Sequence, residues 1–198
     1  MRAVRTAVAR IVGFFRSLFG GSTETPAGFV EIEVDESVAA LDGIEHIVVL
    51  MLENRSFDHM FGGLKVADAR IQGLNGDEFN LDTKGKKALV NPNAAYQGQL
   101  DPDPDHHFEG VDLQIFDGNM APDRAPTMGG FVKSYFNERR DVAHSRLIMN
   151  YYKPSKLPVL TTLATEFAIF NGWFSSIPGP TLCNRAFAHY GTSFGHVD

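Results

Sequence analysis

Two places in the chain put reactive groups where a fold can use them. The first is Glu53-Asn54, which follows the apolar run Ile47 to Leu52. It sets a carboxylate and an amide side by side, two oxygen donors at the end of a greasy segment. The second is Thr181, which follows Pro178-Gly179-Pro180. After it, Leu182, Ala186, Phe187 and Tyr190 recur at helical spacing, and Gly191 is a natural stop. Thr181 is therefore expected at the N-cap of a helix. Its hydroxyl would face the positive end of the helix dipole, beside backbone N–H groups without intrahelical partners. Such a position can hold a phosphate and let a hydroxyl attack it. Plainer readings stay open: Glu53 capping the next helix or pairing with Arg55, and Thr181 serving as an N-cap and nothing more.

Two further patterns carry less. Asp101-Pro102-Asp103-Pro104-Asp105-His106-His107 invites a metal reading but fails the EF-hand pattern. His106 stands where the turn glycine belongs, and Asp112 replaces the terminal glutamate. A solvated acidic turn is expected there. Gly191-Thr192-Ser193-Phe194-Gly195 matches G-x-S-x-G. It follows a helix rather than a strand, however, and no Asp…His pair comes after it to complete a triad.

The elements that must position these groups follow from periodicity. Ile47 to Leu52 is short, uninterrupted and β-branched at Ile47, Val48 and Val49. It reads as a strand buried on both faces, as in a parallel sheet. In open α/β sheets the ligand crevice lies outside the carboxyl ends of the strands, where Glu53 and Asn54 stand. Ser56 is suited to cap a helix through Phe57, Met60 and Phe61, ended by Gly62-Gly63. Lys65 to Pro104 reads as a long insertion with short strands at most. Helices are expected over Phe108 to Phe116, Phe131 to Arg139 and Pro158 to Glu166, with Leu160, Leu163 and Phe167 facing inward. Phe167 to Phe170 reads as a second buried strand, and Phe29 to Val34 as an edge strand or extended lead-in.

The bulk numbers bound the rest. A chain of 198 residues with 43% hydrophobic and 21% charged residues can build one sizeable core. Its net charge of −6 gives no electrostatic reason to expect nucleic acid. One cysteine, Cys183, excludes an internal disulfide. No apolar run is long enough to span a membrane. Residues 1–19 interleave Arg2, Arg5, Arg10 and Arg16 with Val4, Val8, Ile11, Val12, Phe15 and Leu18. As a cationic amphipathic helix they would contact an anionic membrane surface peripherally. A tail, or a helix packed on its own domain, is the plainer alternative. Arg10 and Arg16 interrupt any secretory apolar region, which favours a cytoplasmic or peripheral membrane location over a secreted one. Residues 1–42 thus form an N-terminal helix and linker, and 43–198 the domain.

Glu53-Asn54-Arg55-Ser56-Phe57-Asp58 after an apolar strand resembles the opening motif of the phosphoesterase family that holds bacterial phospholipases C and a bacterial acid phosphatase. Further segments are similar to that family in order. They are Met128-Gly129-Gly130-Phe131-Val132, Leu157-Pro158 through Phe167, Trp173 through Thr181, Asn184-Arg185 and Gly191-Thr192-Ser193. The resemblance covers roughly Ile44 to Ser193. It implies an α/β fold, a largely parallel sheet flanked by helices with an alkaline-phosphatase-like core. It also implies a bacterial-type hydrolase acting on a phosphoester substrate, including phospholipid. Glu53, Asn54 and Thr181 would bind a divalent metal ion, Thr181 being the nucleophile or the hydroxyl bound to metal and phosphate. Asn184 and Arg185, one turn into the same helix, would contact phosphate oxygens. The chemistry is coherent, because hard cations take oxygen ligands and lower the pKa of a coordinated hydroxyl.

The chain departs from the family pattern in three respects. Asn171 stands where an aspartate is usual, and Gly129 replaces the aspartate of a Met-Asp-Gly-Phe-Val segment. The resemblance also implies further acidic ligands and histidines beyond Asp198, so the chain reads as truncated. The alternative expectation is therefore a catalytically incomplete fragment, a half-domain that binds a membrane or a partner chain.

Overall fold

The structure is a computed structural model, and it describes residues 45–52, 54–96 and 100–198. Two units divide at Leu50/Met51. Of the first unit only 45–50 are described, and the helix expected at 1–19 and the extended lead-in expected at 29–34 lie outside the described residues. Every regular element among the described residues lies in the second unit. In chain order these are α1 (Phe57–Phe61), a 3-10 turn (Gly62–Val66), β1 (Phe79–Leu81), β2 (Lys87–Leu89), α2 (Phe108–Phe116) and α3 (Phe131–Arg139). There follow α4 (Val142–Ser145), 3-10 turns at Arg146–Met149 and Pro154–Lys156, α5 (Pro158–Glu166) and α6 (Thr181–Tyr190).

Local signals account for the helices. Ser56 caps α1 by accepting a hydrogen bond from the His59 amide at 3.1 Å. The α-helix ends at Gly62, its C-cap, as expected, and the chain continues into the 3-10 turn. Asp141 caps α4, accepting from the amides of Ala143 and His144. Pro158 opens α5, where its missing N–H costs nothing. Gly191 ends α6 in the left-handed conformation with φ 74°.

The core lies where α3 meets α2 and the β1–β2 hairpin. Val132 and Tyr135 of α3 are 0% and 1% exposed. Gly130 lets the chain enter α3 directly against α2, since a Cβ there would fall 1.9 Å from the Leu113 carbonyl oxygen. Asn80 of β1 is buried and stitches hairpin to helix. Its amide donates to the Met128 carbonyl at 3.0 Å and accepts from the Val132 amide at 3.3 Å. The Tyr135 hydroxyl reaches the Pro102 carbonyl and His144 Nε2, each at 2.9 Å. The buried Asp82 carboxylate accepts from the Arg146 guanidinium and from the amides of Lys84 and Lys86. These bonds hold the carboxyl at about 2, well below its ordinary value.

The sheet expected from the sequence is corrected here. The described residues contain helices and one two-stranded antiparallel sheet, with Phe79 opposite Leu89 and Leu81 opposite Lys87. Ile47 to Leu52 is not a buried strand but an irregular segment without ladder partners among the described residues, with Ile47 85% and Val48 90% exposed. Phe167 to Phe170 is likewise irregular, with Phe167 80% and Phe170 72% exposed. Leu163 is also exposed rather than inward. The physical reason is common to the two segments. A strand exists only through pairing with its neighbours, and no described segment offers these a sheet to join. Leu163, Phe167 and Phe170 line an open groove of about 410 Å³ between α1 and α5, together with Phe57, Phe61 and Leu160.

Candidate functional site

The two segments that the sequence singled out each carry candidate groups. Glu53 lies outside the described residues. Asn54 ends the extended segment and is exposed, with φ 65°. Few residues other than glycine accept that left-handed conformation, and asparagine is foremost among them. Strained backbone of this kind is concentrated at functional sites. The Asn54 carbonyl accepts a hydrogen bond from Arg55, while its side-chain amide makes none among the described residues. The amide oxygen is thus an uncommitted hard donor.

Thr181 is the first residue of the ten-residue helix α6, and Pro180 takes the N-cap position, one residue earlier than expected. The difference leaves the chemistry in place. The N–H groups of the first turn still lack intrahelical acceptors, and no side chain caps them. Thr181 is half-buried, and its hydroxyl makes no hydrogen bond among the described residues.

Asn184 is used differently from the phosphate contact expected of it. Its Oδ1 accepts from the amides of Ser176 and Ile177 at 2.9 and 3.2 Å. Its Nδ2 donates to the carbonyls of Ile177, Gly179 and Pro180 at 3.2, 3.0 and 3.3 Å. Arg185 is half-buried on the same helix. Asn171 ties its own segment to a distant loop, accepting from the Gln72 amide at 3.2 Å and donating to the Arg70 carbonyl at 3.1 Å. An aspartate could not make the second bond, so an asparagine at 171 suits this contact.

Two other groups near α1 are shifted. Burial lowers the pKa of His59, helped by Arg55, and its ring stacks on Tyr152 at 5.0 Å with Nε2 buried and unpaired. Burial raises that of Asp58, with Glu78 adding repulsion. The acidic turn at 101–107 is local scaffolding. Asp105 accepts from the amide and the ring of His107, each at 3.0 Å. Among the described residues no three His, Cys, Asp or Glu side chains gather as a metal site. Ser193 is buried just beyond α6, and nothing there resembles a strand-to-helix nucleophile turn.

A family model for the phosphoesterase family matches residues 44–197. The chain belongs to the phosphoesterase family. It is 40% identical over 156 residues to non-specific phospholipase C1 of Arabidopsis thaliana, an alignment covering 77% of this chain and 28% of that protein. It is 32% identical over 169 residues to phospholipase C A of Mycobacterium tuberculosis, covering 74% and 29%. It is 27% identical over 173 residues to the hemolytic phospholipase C of Pseudomonas aeruginosa, covering 86% and 22%. The chain therefore spans less than a third of the length of the curated relatives it matches.

Proposed function

We propose that this family member is a phosphoester hydrolase of the phospholipase C type, with Thr181 as its nucleophile. The observation that carries the reading is the place of Thr181, a hydroxyl without a hydrogen-bond partner among the described residues, on the first residue of α6 beside uncapped N–H groups. Attack by Thr181 Oγ1 on phosphorus would form a phosphothreonine as the bond to the glycerol oxygen breaks, and the hydroxyl proton would leave with that alcohol. Water would then cleave the phosphothreonine, restoring Thr181 and releasing the phosphorylated head group. The uncapped amides of α6 and the Arg185 guanidinium would hold the phosphoryl oxygens during both steps.

Glu53, Asn54 and Thr181 would hold a divalent cation. The donor chemistry fits, since Asn54 and Thr181 offer uncommitted neutral oxygens and Glu53 a negative one. When bound, the ion would supply charge to ease ionisation of the hydroxyl and to offset that on phosphate. Three protein oxygens leave most of a hard cation's coordination to water, substrate or other groups. The family fold belongs to this proposal too. Ile47 to Leu52 and Phe167 to Phe170 would become strands of a largely parallel, alkaline-phosphatase-like sheet once flanked by others.

The test is product analysis. Purified chain with added divalent metals should release choline phosphate, not free choline or fatty acid, from phosphatidylcholine vesicles. No turnover with any metal, beside an active longer relative, would overturn the proposal for this chain. A second reading is favoured by the exposed apolar faces of 47–52 and 167–174. The chain would be a half-domain that binds a partner chain or a membrane, the latter with residues 1–19 as the contact. It requires self-association or a broad melt; a monomer that melts cooperatively would contradict it.

A further inference from the structure

The turn that delivers Thr181 has an unusual accounting of backbone hydrogen bonds. Residues 176–180 contain two prolines, Pro178 and Pro180, so only Ser176, Ile177 and Gly179 carry an N–H. Gly179 donates to the Ile177 carbonyl at 2.9 Å. The other two donors are taken by the Asn184 amide oxygen, and three of the turn's carbonyls are met by its amide nitrogen. An amide has two N–H bonds and two acceptor lone pairs. All four are spent on this one turn, with one hydrogen shared between carbonyls. The opposite side is closed as well, because a Cβ on Gly179 would fall 2.9 Å from the Val197 carbonyl oxygen. Asn184 also begins the helix, its own amide donating to the Pro180 carbonyl at 3.4 Å.

We infer that Asn184 is a positioning residue for Thr181: its side-chain amide replaces the ladder that the prolines deny the turn, and so fixes where the hydroxyl and the first free amides of α6 stand. The inference rests on the Thr181 reading for its catalytic meaning, though not for the clamp itself. It also separates Asn184 from Arg185. The guanidinium is the group of the pair suited to bind phosphate, while the amide shapes the place where the phosphate is bound. From position 184 the asparagine side chain reaches both the amides of 176–177 and the carbonyls of 177, 179 and 180. Aspartate keeps the accepting half and loses the donating half.

Amide hydrogen exchange and steady-state kinetics on Asn184→Ala and Asn184→Asp test this together. In Asn184→Ala, exchange at Ser176 and Ile177 should speed up by at least about tenfold, the equivalent of one net hydrogen bond. The amide of Tyr135, deep in α3, should stay as slow as in the wild type, which shows that the variant is folded. Asn184→Asp should keep Ser176 and Ile177 protected. With p-nitrophenyl phosphate as substrate, kcat of Asn184→Ala should fall at least about tenfold with KM within about twofold, because the loss is of alignment rather than of binding. Unchanged exchange at Ser176 and Ile177 would overturn the clamp. Faster exchange with wild-type kcat, in a protein that Thr181→Ala inactivates, would overturn the positioning role. Full activity in Thr181→Ala would instead overturn the nucleophile reading and with it the catalytic use of the clamp.

Discussion

The block from β1 to α4 and the segment from Phe167 to Phe174 are both rich in aromatic and aliphatic residues, yet only the first is a core. In the block every polar group that goes inside has a partner. Asn80 serves Met128 and Val132, Tyr135 serves Pro102 and His144, and Asp82 serves Arg146. In the segment, Phe167, Phe170, Trp173 and Phe174 all face out. The difference teaches that apolar composition alone does not bury a chain. The block closes on itself through polar bonds between segments 48 to 64 residues apart in the chain, from Asn80 to Met128 and Val132 and from Asp82 to Arg146. The segment finds no comparable partners among the described residues.

Substitutions that probe each region sharpen this contrast. Gly130→Ala drives a methyl into the Leu113 carbonyl and should cost about 3 kcal/mol, whereas Gly172→Ala meets nothing within 4 Å and should change stability by less than about 0.5 kcal/mol. Urea denaturation of both variants measures the gap, and equal effects would break the comparison. Val132→Ala should cost about 1–3 kcal/mol through the cavity it leaves. The larger truncation Phe170→Ala should cost less than about 1 kcal/mol, since that ring already stands in water. A Phe170→Ala loss above that of Val132→Ala would show that the segment is packed after all.

Acid gives a gentler probe of the block. Asp82 is held at about 2, below its unfolded value, so its contribution is complete above the unfolded pKa near 4 and is lost as pH falls towards 2. Thermal melts should therefore decline below about pH 4 in the wild type and more shallowly in Asp82→Asn, measured relative to each protein's own Tm at neutral pH. Parallel slopes in the two proteins would remove the buried carboxylate from the account.

Much of this was legible in the sequence where the cause is local. Ser56, Pro158 and Gly191 marked helix ends because capping and φ preferences act within a few residues. The strands failed because pairing is not local: the same β-branched run is a strand beside partners and an exposed segment without them. Within the site, Thr181 and Asn54 stand out from residue type and position, and the structure adds the strained φ of Asn54 that no pattern shows. The use of Asn184 was missed, although a signal existed. Two prolines in five residues leave amides that need an acceptor, and Asn184 follows close behind.

The central claim is that Thr181 Oγ1 attacks phosphorus, and turnover of p-nitrophenyl phosphate with and without that oxygen tests it most directly. With divalent metal present, the wild-type chain should release p-nitrophenol, and Thr181→Ala should lose at least about a thousandfold in kcat. Equal metal-dependent turnover by the two proteins would contradict the claim.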